Sequence, residues 1–265
     1  MAECKSEPMA LRDGAVAVID ALGFKGIWNR VPDPRVVIAK LEELRHTVEF
    51  FEHPRLGPDG NEYPAPVRSR FFSDGIVITA TVEDVRPVRQ ITTLGEAVDA
   101  VARAALLTIV AGAGRAPTTY GETPPLLYRG CIAAGKILAK GDFFVGSAID
   151  EAAEWSQKAD AAIIWLLPSA RSALGAAAPE HLVFEWDVPL KGHSSPLSAL
   201  VLNPLGRSDS PSHWRETMEN LDRTIMGSFD EKLPVEVEIK KQNTRRALDA
   251  ARAATQRWFE SQGDQ

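Results

Sequence analysis

Two aspartates stand where metal chemistry is possible. Asp20 ends residues 15–19 (AVAVI), a short, apolar, β-branched run that reads as a buried central strand. Asp74 lies in Phe72-Ser73-Asp74-Gly75, and an Asp-Gly pair between two β-rich runs predicts a hairpin. Carboxylates at the ends of adjacent core strands repel one another in a partly dry site, and a divalent cation removes that cost. Hard carboxylate and carbonyl oxygens suit Mg²⁺ or Mn²⁺. Two such ions can clamp a triphosphate, one activating an attacking hydroxyl and the other steadying the leaving pyrophosphate. Either aspartate alone also fits turn or cap chemistry. Together, the strand-Asp-x-x-Gly-Phe turn and the Phe-Ser-Asp-Gly hairpin form a more specific pattern.

The elements that must position this pair follow from periodicity and punctuation. A Gly-containing turn follows Asp20. A helix begins near Asp33, which can cap it, with Pro34 suited to its first turn; Val37, Leu41, Leu44, Val48 and Phe51 mark its apolar face. Residues 54–68 are a Pro/Gly loop, and a second long helix spans about 94–110, ended by Gly112 and Gly114. A strand at 128–134 leads through a turn at 135–142 to the short apolar run 143–145. Gly146-Ser147 opens a helix to about 158, with Ser147 as its cap, followed by a buried strand at 161–167 and late strands at 182–187 and 197–202. Helices at 211–227 and 243–259 pack outside the core. This order predicts an α+β fold with a mixed sheet, one domain over residues 1–265.

Composition narrows the function classes. The chain has 265 residues, 45% apolar and 25% charged, enough for a sizeable core. A net charge of −6 with no Lys/Arg run argues against a duplex binder, so no nucleic-acid partner is expected. Two cysteines, Cys4 and Cys131, make no disulfide framework. The N-terminus lacks the apolar stretch of a secretory signal, and no run is long enough to span a membrane. A cytoplasmic protein without direct membrane insertion is the expectation. No P-loop or Gly-x-Ser-x-Gly elbow is present, and the five histidines show no metal spacing and read as surface residues.

VAVIDALGF, then a helix, then FFSDGIVIT, followed by YRGCIAAGKI and GDFFVGSAIDEAAEW, resembles the catalytic core of class III nucleotidyl cyclases. The resemblance covers about residues 14–203, three quarters of the chain, and leaves a helical extension at about 210–260. It implies a ferredoxin-like cyclase core with extra C-terminal helices. It further implies that Asp20 and Asp74 are catalytic metal ligands, that the Ala21 carbonyl is a further ligand, and that two Mn²⁺ or Mg²⁺ ions bind per site. By the same resemblance Gly23 and Phe24 bring backbone N–H groups to the phosphates, as a helix start would. Lys191, in VPLK, looks like a triphosphate contact. Family members act as dimers, so a homodimer with sites at its interface is implied, one protomer supplying the metals and the other base and transition-state contacts.

The chain departs from the purine-specific pattern at four positions. Arg70 replaces the base-reading Lys four residues before the second metal Asp, and Phe143 stands at the position of the second base reader, an Asp on the partner. Arg is a pure donor and suits the carbonyl oxygens of uracil; an aromatic ring can stack on a base. Asp150 and Glu154 replace the Asn and Arg of the glycine-helix segment, and an acid cannot steady a negatively charged phosphorus. Arg129, Arg103, Lys136 and Lys140 are candidate replacements, with Arg129 preferred. This combination is similar to the pyrimidine cyclases of bacterial Pycsar anti-phage systems, which work with a separate effector that senses the cyclic nucleotide. The resemblance implies conversion of UTP, or next CTP, to the 3′,5′-cyclic monophosphate and pyrophosphate. A catalytically silent, nucleotide-binding cyclase-like domain is the alternative. A palm-type polymerase or diguanylate cyclase relative would carry a Gly-Gly-Asp/Glu-Glu/Asp-Phe hairpin, which Phe72-Ser73-Asp74-Gly75 lacks.

Overall fold

The computed structural model describes residues 10–22, 24, 27–50, 52, 55–56, 62–63, 67–82, 91–140, 143–175, 181–206, 219, 222–223 and 235–263. Among these, the strands are β1 (Arg12–Leu22), β2 (Arg55–Leu56), β3 (Glu62–Tyr63), β4 (Val67–Phe72), β5 (Gly75–Thr81), β6 (Pro117–Thr118), β7 (Gly121–Glu122), β8 (Leu127–Lys140), β9 (Phe143–Val145), β10 (Ile164–Leu166), β11 (Val183–Val188) and β12 (Leu197–Leu202). The helices are α1 (Ile27–Arg30), α2 (Arg35–Glu49), α3 (Leu94–Ala113), α4 (Ser147–Trp155), α5 (Pro168–Leu174) and α6 (Val235–Gly263). The main sheet runs β11-β12-β10-β8-β1-β5-β4, with β9 folded back on β8. β10 is parallel to β8 and the other pairs are antiparallel, so the fold is α+β with a mixed sheet.

β1 lies at the centre because alternate residues serve two cores. Ala15, Ala17, Ile19 and Ala21 face a layer built from α2, α3 and α5, while Val16 belongs to a second core that includes α4, α6 and β10–β12. The first layer is closed from both ends. At its start Thr93 and Glu96 form a reciprocal capping box. At its end the fully buried Lys40 ammonium donates to the carbonyls of Ala111 (2.5 Å) and Gly114 (2.8 Å) and pairs with Glu43. Lys40 thereby satisfies α3 carbonyls that have no helical partner.

Several local expectations are corrected. β1 does not end at Asp20: its pairing with β5 stops at Asp20↔Gly75, while that with β8 continues to Leu22↔Leu127. The hairpin places Ser73 and Asp74, not Asp74-Gly75, in its two-residue turn. Ser73 takes the left-handed conformation (φ 58°) and Gly75 starts β5. Residues 135–140 are strand rather than turn, since β8 runs on to Lys140 and pairs with β9. Gly112 lies inside α3, and the helix ends at Gly114. Asp33 does cap the start of α2 as expected: its carboxylate accepts the first-turn Arg35 N–H at 2.9 Å and also binds the Arg35 guanidinium, while Pro34 is already helical. Ser147 caps nothing; its hydroxyl accepts the Lys136 N–H, and Gly146 precedes the helix. Only glycine fits there, because φ is +136° and a Cβ would stand 2.2 Å from the Lys136 carbonyl. The structure adds helix α5 and the short strands β2, β3, β6 and β7, and His181 is half-buried against Trp258 rather than on the surface. The predicted helix at 211–227 falls almost wholly outside the described residues, whereas α6 is longer than its sequence pattern suggested.

Candidate active site

The site is assembled where β1, β5 and β8 end together. Asp20 lies across from Arg129 of β8 on one side and Gly75 of β5 on the other. Directly opposed residues share a face, so Arg129 reaches Asp20, Nη2 donating to Oδ2 at 3.3 Å. On the other side Gly75 carries no side chain, which leaves room beside the Asp20 carboxylate. The turn bearing Asp74 is fastened to β1 by the Ala21 N–H, which donates to the Asp74 carbonyl at 3.2 Å. Ala21 thus ties the two aspartate-bearing segments together. Burial raises the Asp20 pKa; Arg129 opposes this by hydrogen bond and charge, Asp74 reinforces it, and Lys191 opposes it weakly.

Lys191 belongs to the same electrostatic group. Burial, then the like charges of Arg129 and Lys240, lower its pKa, while Asp160 and Asp20 raise it. The fold therefore brings together Asp20, Asp74, Arg129 and Lys191 from distant positions in the sequence. Arg129 is the most confined of them, 8% exposed. Its Nε and Nη1 groups are buried and, among the described residues, have no hydrogen-bond partner. Buried guanidinium donors without acceptors are costly, and a phosphate oxygen would satisfy them. The other candidate cations lie elsewhere: Arg103 pairs with Asp99 on α3, Lys136 with Asp13 at the opposite end of β1, and Lys140 is exposed at the end of β8.

The donor set fits divalent ions held jointly with a substrate. Among the described residues no cluster of three or more His, Cys, Asp or Glu exists that would form a closed protein cage. Two part-exposed carboxylates and one adjacent carbonyl are what Mg²⁺ or Mn²⁺ uses when phosphates and water complete the shell.

Solved nucleotidyl cyclases align with the chain at low identity. It aligns over 72% of its length, and 95% of the other chain, with the catalytic core of a rhodopsin-guanylyl cyclase with converted specificity in complex with ATPαS (16% identity, TM-score 0.49). A guanylyl cyclase domain of the RhoGC fusion protein from the aquatic fungus Blastocladiella emersonii aligns over 72% of this chain and 96% of its own (14%, TM-score 0.48). The adenylyl cyclase CyaB from P. aeruginosa aligns over 77% and 97% (14%, TM-score 0.47). No protein-family model and no curated protein matches the sequence.

The remaining sequence candidates divide into two groups. Phe24 is a core residue, 8% exposed and edge-on to Trp28, so only its backbone is left for a ligand. Gly23 lies outside the described residues. Arg70 lies on β4, the edge strand of the sheet, and Phe143 on β9, which pairs with β8. Arg70 donates to the Ser69 carbonyl and lies 5.6 Å from the Phe144 ring, while Phe143 is 78% exposed. The 143–145 strand of the same chain therefore lies against Arg70. Asp150 and Glu154 are exposed on α4. Two features escaped the sequence reading. Phe144, not Phe143, is the aromatic partner of Arg70. Tyr128, one position before Arg129, has a buried hydroxyl without a partner among the described residues, and burial together with Asp74 and Asp20 raises its pKa. No sequence signal marks either, because both depend on tertiary placement.

Proposed function

We propose that this protein is a nucleotidyl cyclase that converts UTP, or next CTP, to the 3′,5′-cyclic monophosphate and pyrophosphate. The observation that carries this reading is the Asp20–Arg129 pair beside Asp74, with two Arg129 donors left for phosphate oxygens. Asp20, Asp74 and the Ala21 carbonyl would hold two Mg²⁺ or Mn²⁺ ions. Those ions, when bound, lower the pKa of the attacking hydroxyl and neutralise charge on the phosphates.

The chain's own residues supply orientation and charge. Arg129 stands nearest the α-phosphorus and takes the place of the cation that Asp150 and Glu154 cannot provide. Lys191 holds the triphosphate tail, with the backbone of Gly23 and Phe24 beside it. The substrate 3′-hydroxyl then attacks the α-phosphorus in line, and the bond to the pyrophosphate oxygen breaks. Arg70 donates to a pyrimidine carbonyl, and Phe143 supplies an apolar base contact. Phe72 on β4 and Phe143 and Val145 on β9 are exposed large apolar residues, which supports a homodimer with sites at its interface. By its resemblance to the Pycsar branch, the product is a second messenger of anti-phage defence read by a separate effector.

The test is incubation of the protein with ATP, GTP, CTP and UTP in Mn²⁺, with products read by mass. Cyclic UMP or cyclic CMP is the expected product. Exclusive cyclic AMP would refute the pyrimidine reading, and binding without pyrophosphate release would mark a catalytically silent domain.

A further inference from the structure

Helix α6 reaches the site through a relay of hydrogen bonds. The Thr244 side chain, 1% exposed, accepts the Ala162 N–H at 2.9 Å, and the Asn243 amide donates to the Asp160 carbonyl at 3.0 Å. Two adjacent α6 residues thus grip the backbone of one turn, residues 158–162. That turn in turn grips the segment carrying Lys191. Ala159 bridges Leu190, the Asp160 N–H donates to the Pro189 carbonyl (2.8 Å), and the Lys191 N–H donates to the Lys158 carbonyl (2.9 Å).

The segment needs such a tether. Residues 189–196 connect β11 to β12, Gly192 adopts φ +76°, and residues 192–198 are exposed. Among the described residues, the 189–193 segment hydrogen-bonds beyond itself to the 158–160 turn alone. A lysine on an untethered surface loop loses substantial rotamer and backbone freedom each time it meets a ligand. The helix end of the relay is firm: Ala247, Leu248 and Ala251 are buried in the same core as Val188 and Leu190, and Asn203 donates to Thr255 at 2.8 Å.

We propose that α6 positions Lys191 for the triphosphate through the 158–162 turn, with Asn243 and Thr244 as positioning residues. This rests on the reading of Lys191 as a triphosphate contact. Lys240, one turn earlier on α6, accepts the Thr244 hydroxyl through its carbonyl at 2.7 Å.

The experiment is a double-mutant cycle between Thr244→Val and Lys191→Ala on the full chain, read two ways. One reading is steady-state kinetics with the preferred triphosphate in Mn²⁺. The other is direct binding of inorganic tripolyphosphate. Thr244→Val is expected to raise KM and the tripolyphosphate dissociation constant about fivefold, the scale of one hydrogen bond, with kcat nearly unchanged. Thr244→Ser, which keeps the hydroxyl, restores both. In the Lys191→Ala background Thr244→Val adds nothing. Asn243→Ala, which removes a single bond at the same turn, is expected to show the same pattern and keeps the test valid if Thr244→Val fails to fold. Independent, additive effects would overturn the proposal, as would equal tripolyphosphate affinity in wild type and Lys191→Ala. A protein that turns over no triphosphate, yet shows the non-additive cycle in tripolyphosphate binding, would refute the cyclase reading and uphold the role of α6.

Discussion

The two faces of the central sheet use the same strands for different ends. On one face Ala15, Ala17, Ile19 and Ala21 of β1, with Ile76 and Ile78 of β5, are sealed under α2 and α3. On the other, Val18 and Val77 are only partly covered, and the row ends in Asp20, Gly75 and Arg129. A closed face tolerates no charge except a fully partnered one such as Lys40. The open face gathers an ion pair, a second carboxylate and a half-buried lysine at one end, with an aromatic edge beside Arg70. The difference teaches that alternation along β1 separates folding from chemistry, one residue apart.

Perturbing the open face should strike activity more than stability, and after the two aspartates themselves the largest such effect is expected at Arg129. Arg129→Met should lower kcat by roughly 100-fold, the scale for losing one preorganised charge at a reacting phosphorus. It should also move the acid limb of the pH–rate profile to higher pH. Burial already raises the Asp20 pKa and Arg129 opposes that rise, so removing the guanidinium leaves Asp20 protonated at higher pH and unable to hold a cation. With the folded pKa above the unfolded one, the Asp20 contribution is present at low pH and lost as pH rises through the folded value. An unchanged acid limb would show that Arg129 does not act on Asp20.

A smaller effect is expected at the aromatic edge. Arg70→Ala and Phe143→Ala should each change the ratio of kcat/KM between pyrimidine and purine triphosphates by about tenfold, with little effect on metal dependence. If both leave the ratio intact, the base is read elsewhere. Smallest for function is the closed face: Thr93→Ala breaks the capping box of α3 and should cost about 1 kcal/mol in denaturant unfolding without altering KM. A kinetic effect there would blur the division between the faces.

The closed face was the more legible in the sequence, for a physical reason. Apolar residues two apart in β1 and three or four apart in α2 write their burial directly into a pattern. The Asp20 and Asp74 positions were legible as well, since both interrupt such patterns. What the pattern could not carry was register. Asp20 opposite Arg129 follows from which strand lies beside which, and Arg70 against Phe144 rather than Phe143 from a contact between strands that do not pair. The strand extent of residues 135–140 was missed because Gly135 and Lys136 mimic turn punctuation, while pairing to β1 and β9 holds them extended. The Lys191 relay joins residues far apart in sequence on elements with no shared periodicity.

The central claim is that the Asp20–Asp74 end of the sheet forms a cyclic nucleotide from a triphosphate. The most direct measurement compares wild type with Asp74→Asn, which keeps the turn while removing the charge, for Mn²⁺-dependent release of cyclic nucleotide and pyrophosphate in equal amounts. The wild type should form both, and Asp74→Asn should fall by more than about 100-fold, beyond the loss typical of an outer-shell group. Full activity in Asp74→Asn, or pyrophosphate release without cyclic product, would contradict the account.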